Sequence, residues 1–205
     1  MLRKLFVLCV VTASSFAVNS QIEIEGGLNL SNQSSKTGGE KNDTDTKMNP
    51  GFNLGAVYRV ELSNNLHFLP GLVWNTRGSR YVSGGSTNSL NLNYVTIPLN
   101  FRIHFDISSD LKAFINAAPY VGFAISGSDR YKDSDEKSKQ KLEFKDDYDY
   151  SRLDYGLNFG IGVDLDKFTV SAGYDFGFAN IIRIPSDSGF KANNSTLKLT
   201  LGYKL

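Results

Sequence analysis

Hydrophobic and polar residues alternate with a period of two in eight segments of this chain. In the last segment, every odd position from Leu197 to Leu205 is leucine or tyrosine, whereas the even positions carry threonine, lysine or glycine. Because successive side chains of a β-strand point to opposite faces, each such segment predicts a strand with one apolar and one polar face. The eight predicted strands are 22–31, 51–62, 66–78, 92–106, 111–126, 152–165, 168–180 and 195–205.

The connections between these strands alternate between short and long. Short polar turns are predicted at 63–65, 107–110 and 166–167, and long polar loops at 32–50, 79–91, 127–151 and 181–194. Each strand is long enough to cross a bilayer when tilted, which takes roughly 9–11 residues. The pattern predicts an all-β fold: an eight-stranded antiparallel up-and-down transmembrane β-barrel with short periplasmic turns and long extracellular loops. An even number of strands then places both termini in the periplasm.

The N-terminus has the features of a secretory signal peptide. Arg3 and Lys4 precede the apolar run 5–11, and small residues follow. We expect residues 1–20 to be the signal peptide and 21–205 a single barrel domain, with cleavage after Ala17 as the alternative site. A buried N-terminal helix is the other interpretation. The single cysteine lies inside the apolar run, so the mature chain would have no disulfide and no thiolate chemistry.

Composition excludes two classes of protein. The chain has 22 basic and 21 acidic residues, which gives no basic footprint for nucleic acid. No apolar run of helical length follows the signal peptide, so a helical membrane protein is excluded. Nineteen glycines, 10 tyrosines and 14 phenylalanines are typical of many strands with aromatic belts at the membrane interfaces.

Short glycine-rich and aromatic segments recur along the predicted strands: Gly27–Ser31, Gly51–Gly55, Leu69–Leu72, Leu92–Leu99, Ala118–Gly122, Gly160–Val163 and Leu201–Lys204. In this order and spacing, they resemble the outer-membrane β-barrel family that includes PorT. The resemblance implies an outer-membrane location and an accessory role in protein export. It also implies contact with outer-membrane lipid, insertion by the barrel-assembly machinery, and contacts of the loops with envelope or secretion proteins.

Three prolines, Pro70, Pro98 and Pro119, fall in the middle of predicted strands. Proline removes a hydrogen-bond donor from the ladder and is normally confined to edges and bulges. A closed barrel has no edge, so we expect each proline to mark a bulge or a bend.

The predicted inner face of the barrel carries charges of both signs. Eight strands enclose just enough room for side chains, and buried charges must be paired. We therefore expect an internal ion-pair network that plugs the barrel, so that it does not conduct; a narrow small-solute pore is the alternative. The residues expected in this network are Glu23, Glu25, Arg59, Glu61, Arg77, Arg102, Arg152, Asp154, Asp164 and Asp175.

Catalysis and cofactor binding have little support in the sequence. His67 and His104 are the two histidines, and the sequence places no serine and carboxylate beside either, as a nucleophile would require. Acidic residues cluster at 133–136 and 146–149, but lysines interleave with them, so a solvated charge run is expected rather than a metal site. We predict no enzyme activity, cofactor or metal. A secreted lipocalin-like carrier, whose apolar face would point inward, remains an alternative fold.

Overall fold

The structure, a computed structural model, describes residues 21–38, 40–41, 46–133, 137–142, 144, 150–182 and 191–205. The predicted signal peptide, 1–20, and most of the acidic clusters in the third long loop lie outside these residues.

Eight long strands form the sheet, and three short strands extend it. The first and last long strands, at the two ends of the chain, pair with each other, so the sheet closes into a barrel in which all pairings are antiparallel. The predicted eight-stranded barrel is confirmed. The strands are β1 (Gln21–Thr37), β2 (Glu40–Lys41), β3 (Thr46–Lys47), β4 (Asn49–Ser63), β5 (Leu66–Ser83), β6 (Ser86–Asp106), β7 (Leu111–Lys132), β8 (Lys137–Leu142), β9 (Leu153–Leu165), β10 (Phe168–Gly177) and β11 (Lys191–Lys204), of which β2, β3 and β8 are the short ones.

The alternation in the sequence sorts side chains between the two faces of the barrel. Apolar side chains such as Leu28, Ile161 and Leu201 are about two-thirds exposed on the outer face, whereas Asn29 and Thr196 on the inner face are completely buried. A lipocalin-like carrier is therefore excluded, because its apolar residues would line the interior. In the described part of the chain, no helix is long and apolar enough to cross a membrane.

The two ends of the barrel differ in the length of their connections. At one end, called the turn end here, the long strands are joined by the short connections 64–65, 107–110 and 166–167. At the opposite loop end, β5 and β6 continue to a two-residue turn, Gly84–Gly85, in which both residues have positive φ. The predicted long loop at 79–91 is thus wrong: this segment is a hairpin. Most of its residues are polar and its few apolar residues do not alternate, so hydrophobicity could not reveal the strands.

The mid-strand prolines lie side by side on β5, β6 and β7. Pairing between β5 and β6 is interrupted after Pro70, and pairing between β6 and β7 after Pro98, yet the register continues unchanged on the far side. None of the three prolines marks a bulge, so this half of the expectation is wrong, and the alternative, a bend, stays a prediction. The sheet tolerates the missing donors by opening the ladder locally without shifting it.

A bulge does occur on β7 near the loop end. Tyr94 pairs with Ala124 but Asn93 pairs with Ser126, so Ile125 is an extra residue on β7. An extra residue exchanges the faces of the side chains that follow it. Beyond the bulge, the odd-numbered Gly127 is buried and the even-numbered Arg130 is exposed.

Candidate functional site

Charged and amide side chains fill the interior of the barrel in two layers. We call Arg77, Asp154, Asp175 and Lys198 the central cluster. A second set, the turn-end cluster, lies nearer the short turns. It consists of Glu23, Arg59, Arg102, His104, Asp164 and Lys204.

Arg77 organises the central cluster. Its two terminal nitrogens lie 2.5 Å from Asp154 Oδ2 and 2.8 Å from Asp175 Oδ2, and all three side chains are essentially inaccessible to solvent. Lys198 Nζ reaches the same Asp175 oxygen at 2.9 Å. Two positive and two negative charges therefore balance within one layer of the barrel.

Neutral side chains add further hydrogen bonds to this layer. Asn158 donates to Asp175 Oδ1 at 2.7 Å, and Asn194 donates to Asp154 Oδ2 at 3.0 Å. The Arg77 guanidinium lies 4.5 Å from the centre of the Tyr120 ring, so a cation–π contact covers one of its faces.

Asp164 is the common acceptor of the turn-end cluster. Arg59 donates to it at 2.8 Å, Thr169 at 2.9 Å, and Lys204 Nζ lies 3.0 Å away. Arg59 and Arg102 also contact Glu23, at 3.0 and 3.3 Å. Three cations thus share two carboxylates, so this cluster carries one excess positive charge when both histidines are neutral.

The two histidines lie beside the turn-end cluster. His104 Nε2 is 3.1 Å from Asp164, and His104 Nδ1 is 3.1 Å from His67 Nδ1. Both histidines line an open cleft of about 190 Å³ at the turn end, together with Ser109 and Lys112. The His104–Asp164 contact could not be predicted from the sequence, because β6 and β9 are not neighbours in the sheet.

Ser109 contributes a hydroxyl group to the lining of this cleft. No hydrogen bond joins Ser109 to either histidine among the residues that the structure describes. Nor does this part of the chain contain a group of three or more His, Cys, Asp or Glu side chains that could hold a metal ion.

A polar cavity of about 70 Å³ separates the two clusters. Glu25, Asn75, Thr96 and Asn116 contribute to its wall, and Lys198 lies at its edge. Oxygens of Asn75, Thr96 and Asn116 there have no hydrogen-bond partner within the protein. A polar cavity of this size with unpaired acceptors is suited to hold water. Glu25 faces this space and forms no ion pair with a described residue.

Three residues expected in the interior network lie outside both clusters: Glu25, which faces the polar cavity, and Glu61 and Arg152, which do not face the interior. Glu61 is exposed at the turn end, next to a register shift between Glu61 and Ser63, so the alternation is broken where it would have to turn inward. Arg152 precedes β9, where strand alternation does not yet apply; it donates to Phe144 O at 2.8 Å and stacks on the ring of that residue. Except for Glu61 and Arg152, the expected residues all face the interior: Glu23, Glu25, Arg59, Arg77, Arg102, Asp154, Asp164 and Asp175.

An apolar cap closes the barrel above the central cluster. Ile181, in the connection after β10, is fully buried, and its backbone bonds Ala192 O at 2.9 Å and the amide of Ser151 at 2.8 Å. The burial of Ile181 could not be predicted from strand alternation, because this residue follows the end of a strand. The cap comprises Leu90, Leu92, Tyr94, Ala124, Ile181 and Ala192, flanked by Leu142, Phe144, Tyr150 and Ile182.

A closed barrel with an apolar outer face and a charged interior defines the class of the molecule as a transmembrane β-barrel. The family model described as "Outer membrane protein beta-barrel domain" matches residues 13–183. The chain therefore belongs to this family of outer-membrane β-barrel proteins, which places it in the outer membrane. The curated proteins include no significant match to it.

Several solved structures of outer-membrane proteins are similar to this chain. Ail, the attachment invasion locus protein of Yersinia pestis, is 18% identical over 92% of this chain and 100% of its own, with a TM-score of 0.41. Neisserial surface protein A is 12% identical over 91% and 99%, with a TM-score of 0.46. OprG of Pseudomonas aeruginosa is 12% identical over 91% and 96%, also with a TM-score of 0.46. These similarities concern the fold alone.

Proposed function

We propose that this protein is a closed, non-conducting outer-membrane barrel that acts as a scaffold for interactions of its loop end with other envelope components. The observation that supports this most directly is the filled interior. The central cluster spans the barrel from β5 to β9 and β10, and the cap covers it on the loop side. The polar cavity below it is too small to be a continuous channel.

Conductance tests the closed interior. Purified barrel is inserted into planar bilayers, and single-channel current is recorded for the wild type and for Arg77→Ala/Ile181→Gly, which removes the side chains that fill the centre and the cap. We expect no reproducible steps for the wild type. Regular steps from the wild type would contradict the proposal and favour the narrow pore. Current steps from the variant but not from the wild type would show that the Arg77 and Ile181 side chains close the barrel.

The proposed orientation places the termini and the short turns in the periplasm. Exposed positions at the two ends allow a direct test in a Cys9→Ser background: Asn88→Cys in the loop-end hairpin and Ser108→Cys at the turn end. Intact cells are treated with a membrane-impermeant maleimide. We expect labelling of Asn88→Cys only, with both variants labelled after lysis. The reverse pattern in intact cells would overturn the orientation.

The finer form of this proposal is an accessory role in protein export, which the resemblance to PorT supports. A strain lacking this protein is compared with its complemented counterpart by measuring which proteins reach the cell surface and medium. We expect a defined group of exported proteins to accumulate inside the cell. Unchanged export with a normally assembled envelope would remove this role and leave the scaffold proposal standing.

A further inference from the structure

The outer face of the barrel carries an unusual concentration of cations at the loop end. Seven lysine and arginine side chains are exposed there on the extended part of β3, β5, β7 and β8. None of them forms an ion pair with a described residue. We call this group the cationic wall, and its members are Lys47, Arg80, Arg130, Lys132, Lys137, Lys139 and Lys141.

Strand register aligns these cations in rows. Lys47 pairs with Arg80, Arg80 with Ser89, Ser89 with Arg130, and Arg130 with Lys139, so one row crosses five strands. Directly paired residues of antiparallel strands lie on the same face of the sheet. Strands are about 4.7–4.9 Å apart, so neighbouring cations in this row are roughly 5–10 Å from one another.

Two parallel rows extend the wall along the strands. Lys132 pairs with Lys137 on the side away from the membrane-spanning part, and Ser128 pairs with Lys141 on the side towards it. None of the three rows contains an acidic residue. The first row consists of Lys47, Arg80, Ser89, Arg130 and Lys139, the second of Val82, Thr87, Lys132 and Lys137, and the third of Gly78, Asn91, Ser128 and Lys141.

The rows face outward, away from the barrel axis. Leu90, Gly127 and Leu142 alternate with them along β6, β7 and β8. Leu90 and Gly127 are buried, and Leu90 and Leu142 pack in the cap. Since alternate residues point to opposite faces, the rows between them belong to the outer wall. The β7 bulge at Ile125 is what brings Arg130 and Lys132 to this face.

The wall lies directly above the apolar surface of the barrel. Trp74, Val95 and Phe123 form a row of outward apolar side chains, and Thr76, Asn93 and Ser126 form the neutral row above it. From Trp74 to the row of Lys141 is four residues, or about 13 Å along a strand, which a tilt of about 40° reduces to roughly 10 Å of height. Lysine and arginine reach several further ångströms along a surface towards charged partners. The wall therefore begins at the level of the lipid headgroups.

We propose that the cationic wall binds the phosphate groups of lipids in the outer leaflet. A row of arginine and lysine side chains without internal partners suits phosphate, which arginine binds with two parallel hydrogen bonds and lysine as a point charge. The wall faces sideways and continues the lipid-facing surface, so its natural neighbours are headgroups rather than a protein approaching the tip of the barrel. The assignment of these lipids to the outer leaflet rests on the proposed orientation of the barrel. The binding of phosphate groups by the wall does not depend on that orientation.

The turn end provides the matched control. There, the outward residues Ile103, Phe105 and Ala113 are apolar, and the exposed Lys112 forms an ion pair with Asp106 at 3.1 Å. Lys167, in a turn, is the second exposed lysine at this end. Arg130→Gln/Lys139→Gln and Lys112→Gln/Lys167→Gln therefore remove the same charge from opposite ends of the barrel.

Binding is measured with folded, detergent-solubilised protein, titrated with bisphosphorylated lipid A or with the same lipid after phosphatase treatment, and bound lipids are counted by native mass spectrometry. We expect the wild type and the turn-end variant to prefer the phosphorylated lipid. The wall variant should bind it about thirtyfold more weakly, as expected for the loss of two cations near a lipid surface. Heat-modified gel mobility verifies that each variant is folded.

Three outcomes would overturn the proposal: equal binding of both lipids by the wild type, unchanged binding by the wall variant, or equal loss in both variants. A parallel titration with soluble polyphosphate distinguishes lipid phosphate from phosphate free in solution. Binding of polyphosphate without binding of lipid A would show that the wall recognises a soluble polyanion and would also overturn it. The maleimide labelling tests orientation separately, so a failure of lipid binding and a reversed topology are distinguishable.

Discussion

Two ion-pair clusters fill the same barrel, but water reaches them differently. In the central cluster, Arg77 and its two carboxylate partners are at most 1% exposed, and the apolar cap lies above them. In the turn-end cluster, the side chains of Arg59 and Lys204 are about 10% exposed and line a cleft of about 190 Å³. Within the central cluster, Arg77 and its two carboxylate partners are sealed from water, although Lys198 is 19% exposed at the polar cavity; the turn-end cluster is open on one side.

This difference determines what each cluster tolerates. A buried charge that loses its partner must be solvated or neutralised, and a sealed site allows no water to replace the partner. At an open site, water and salt ions partly replace the lost partner of the charge. We therefore expect single substitutions to be most damaging in the central cluster and milder in the turn-end cluster.

The largest expected effect comes from Arg77→Met. This change leaves Asp154 without its cation and Asp175 with Lys198 alone. We expect the free energy of unfolding to fall by about 3–5 kcal/mol, the usual cost of breaking a buried ion pair. Denaturant titration of the protein folded into vesicles, followed by tryptophan fluorescence and gel mobility, measures it.

The double variant Arg77→Met/Asp154→Asn is the control. It removes the unpaired charge and keeps the ion pair of Asp175 with Lys198. We expect it to recover most of the lost stability, because an apolar replacement of a whole pair is often neutral. If the double variant is as unstable as the single one, packing rather than charge explains the loss.

We expect Asp164→Asn to lower the free energy of unfolding by less than Arg77→Met does. The change weakens the acceptor shared by Arg59, Lys204 and His104, but the cleft admits water to the cations. We expect a loss of about 1–3 kcal/mol, the range for groups that lose a buried hydrogen-bond partner.

The dependence on ionic strength provides a further test of the prediction for Asp164→Asn. Salt screens the repulsion among the remaining cations at an accessible site, so the loss for Asp164→Asn should shrink when the titration is repeated at high salt. The loss for Arg77→Met should not change. The same salt dependence for both variants would contradict the contrast between a sealed and an open cluster.

Much of the fold could be predicted from the sequence, because a lipid-facing surface and a filled interior impose strict alternation. The strand from Leu66 and the strand from Leu111 begin where the sequence predicts. The hairpin at 79–91 could not be predicted in this way, since most of its residues are polar and its few apolar residues do not alternate. Strand pairing continues there although no hydrophobic pattern in the sequence indicates it.

The site was harder to predict than the fold. Alternation identifies which charges face inward, as for Arg77 and Asp154, but these residues lie on strands that are not neighbours in the sheet. Their contact depends on the tilt and stagger of a closed barrel, which one sequence does not specify. Glu61 and Arg152 show where alternation fails, at a register shift and just before a strand.

Gly202→Ala tests the packing of the turn-end cluster without changing its charge. A methyl group there would lie 2.5 Å from Glu23 Oε1 and 3.1 Å from Thr169 Cβ, so the carboxylate must move away from its arginines. We expect a loss of about 1–2 kcal/mol from overpacking, measured by the same titration. Gly26→Ala is the control, because its methyl group would meet its nearest atom at an ordinary 3.4 Å; it should not lose stability.

The smallest effect is expected at Glu25, which shares β1 and the inner face with Glu23 but belongs to neither cluster. Its carboxylate faces the polar cavity, and Lys198 at the edge of that cavity is already paired with Asp175. Glu25→Gln keeps the size and hydrogen-bonding capacity of the side chain, so we expect stability within about 0.5 kcal/mol of the wild type. Glu23→Gln, two residues away, removes the charge that pairs with Arg59 and Arg102 and should destabilise the barrel. Equal losses for the two glutamates would mean that the cavity does not separate two clusters and that the interior acts as one continuous charge network.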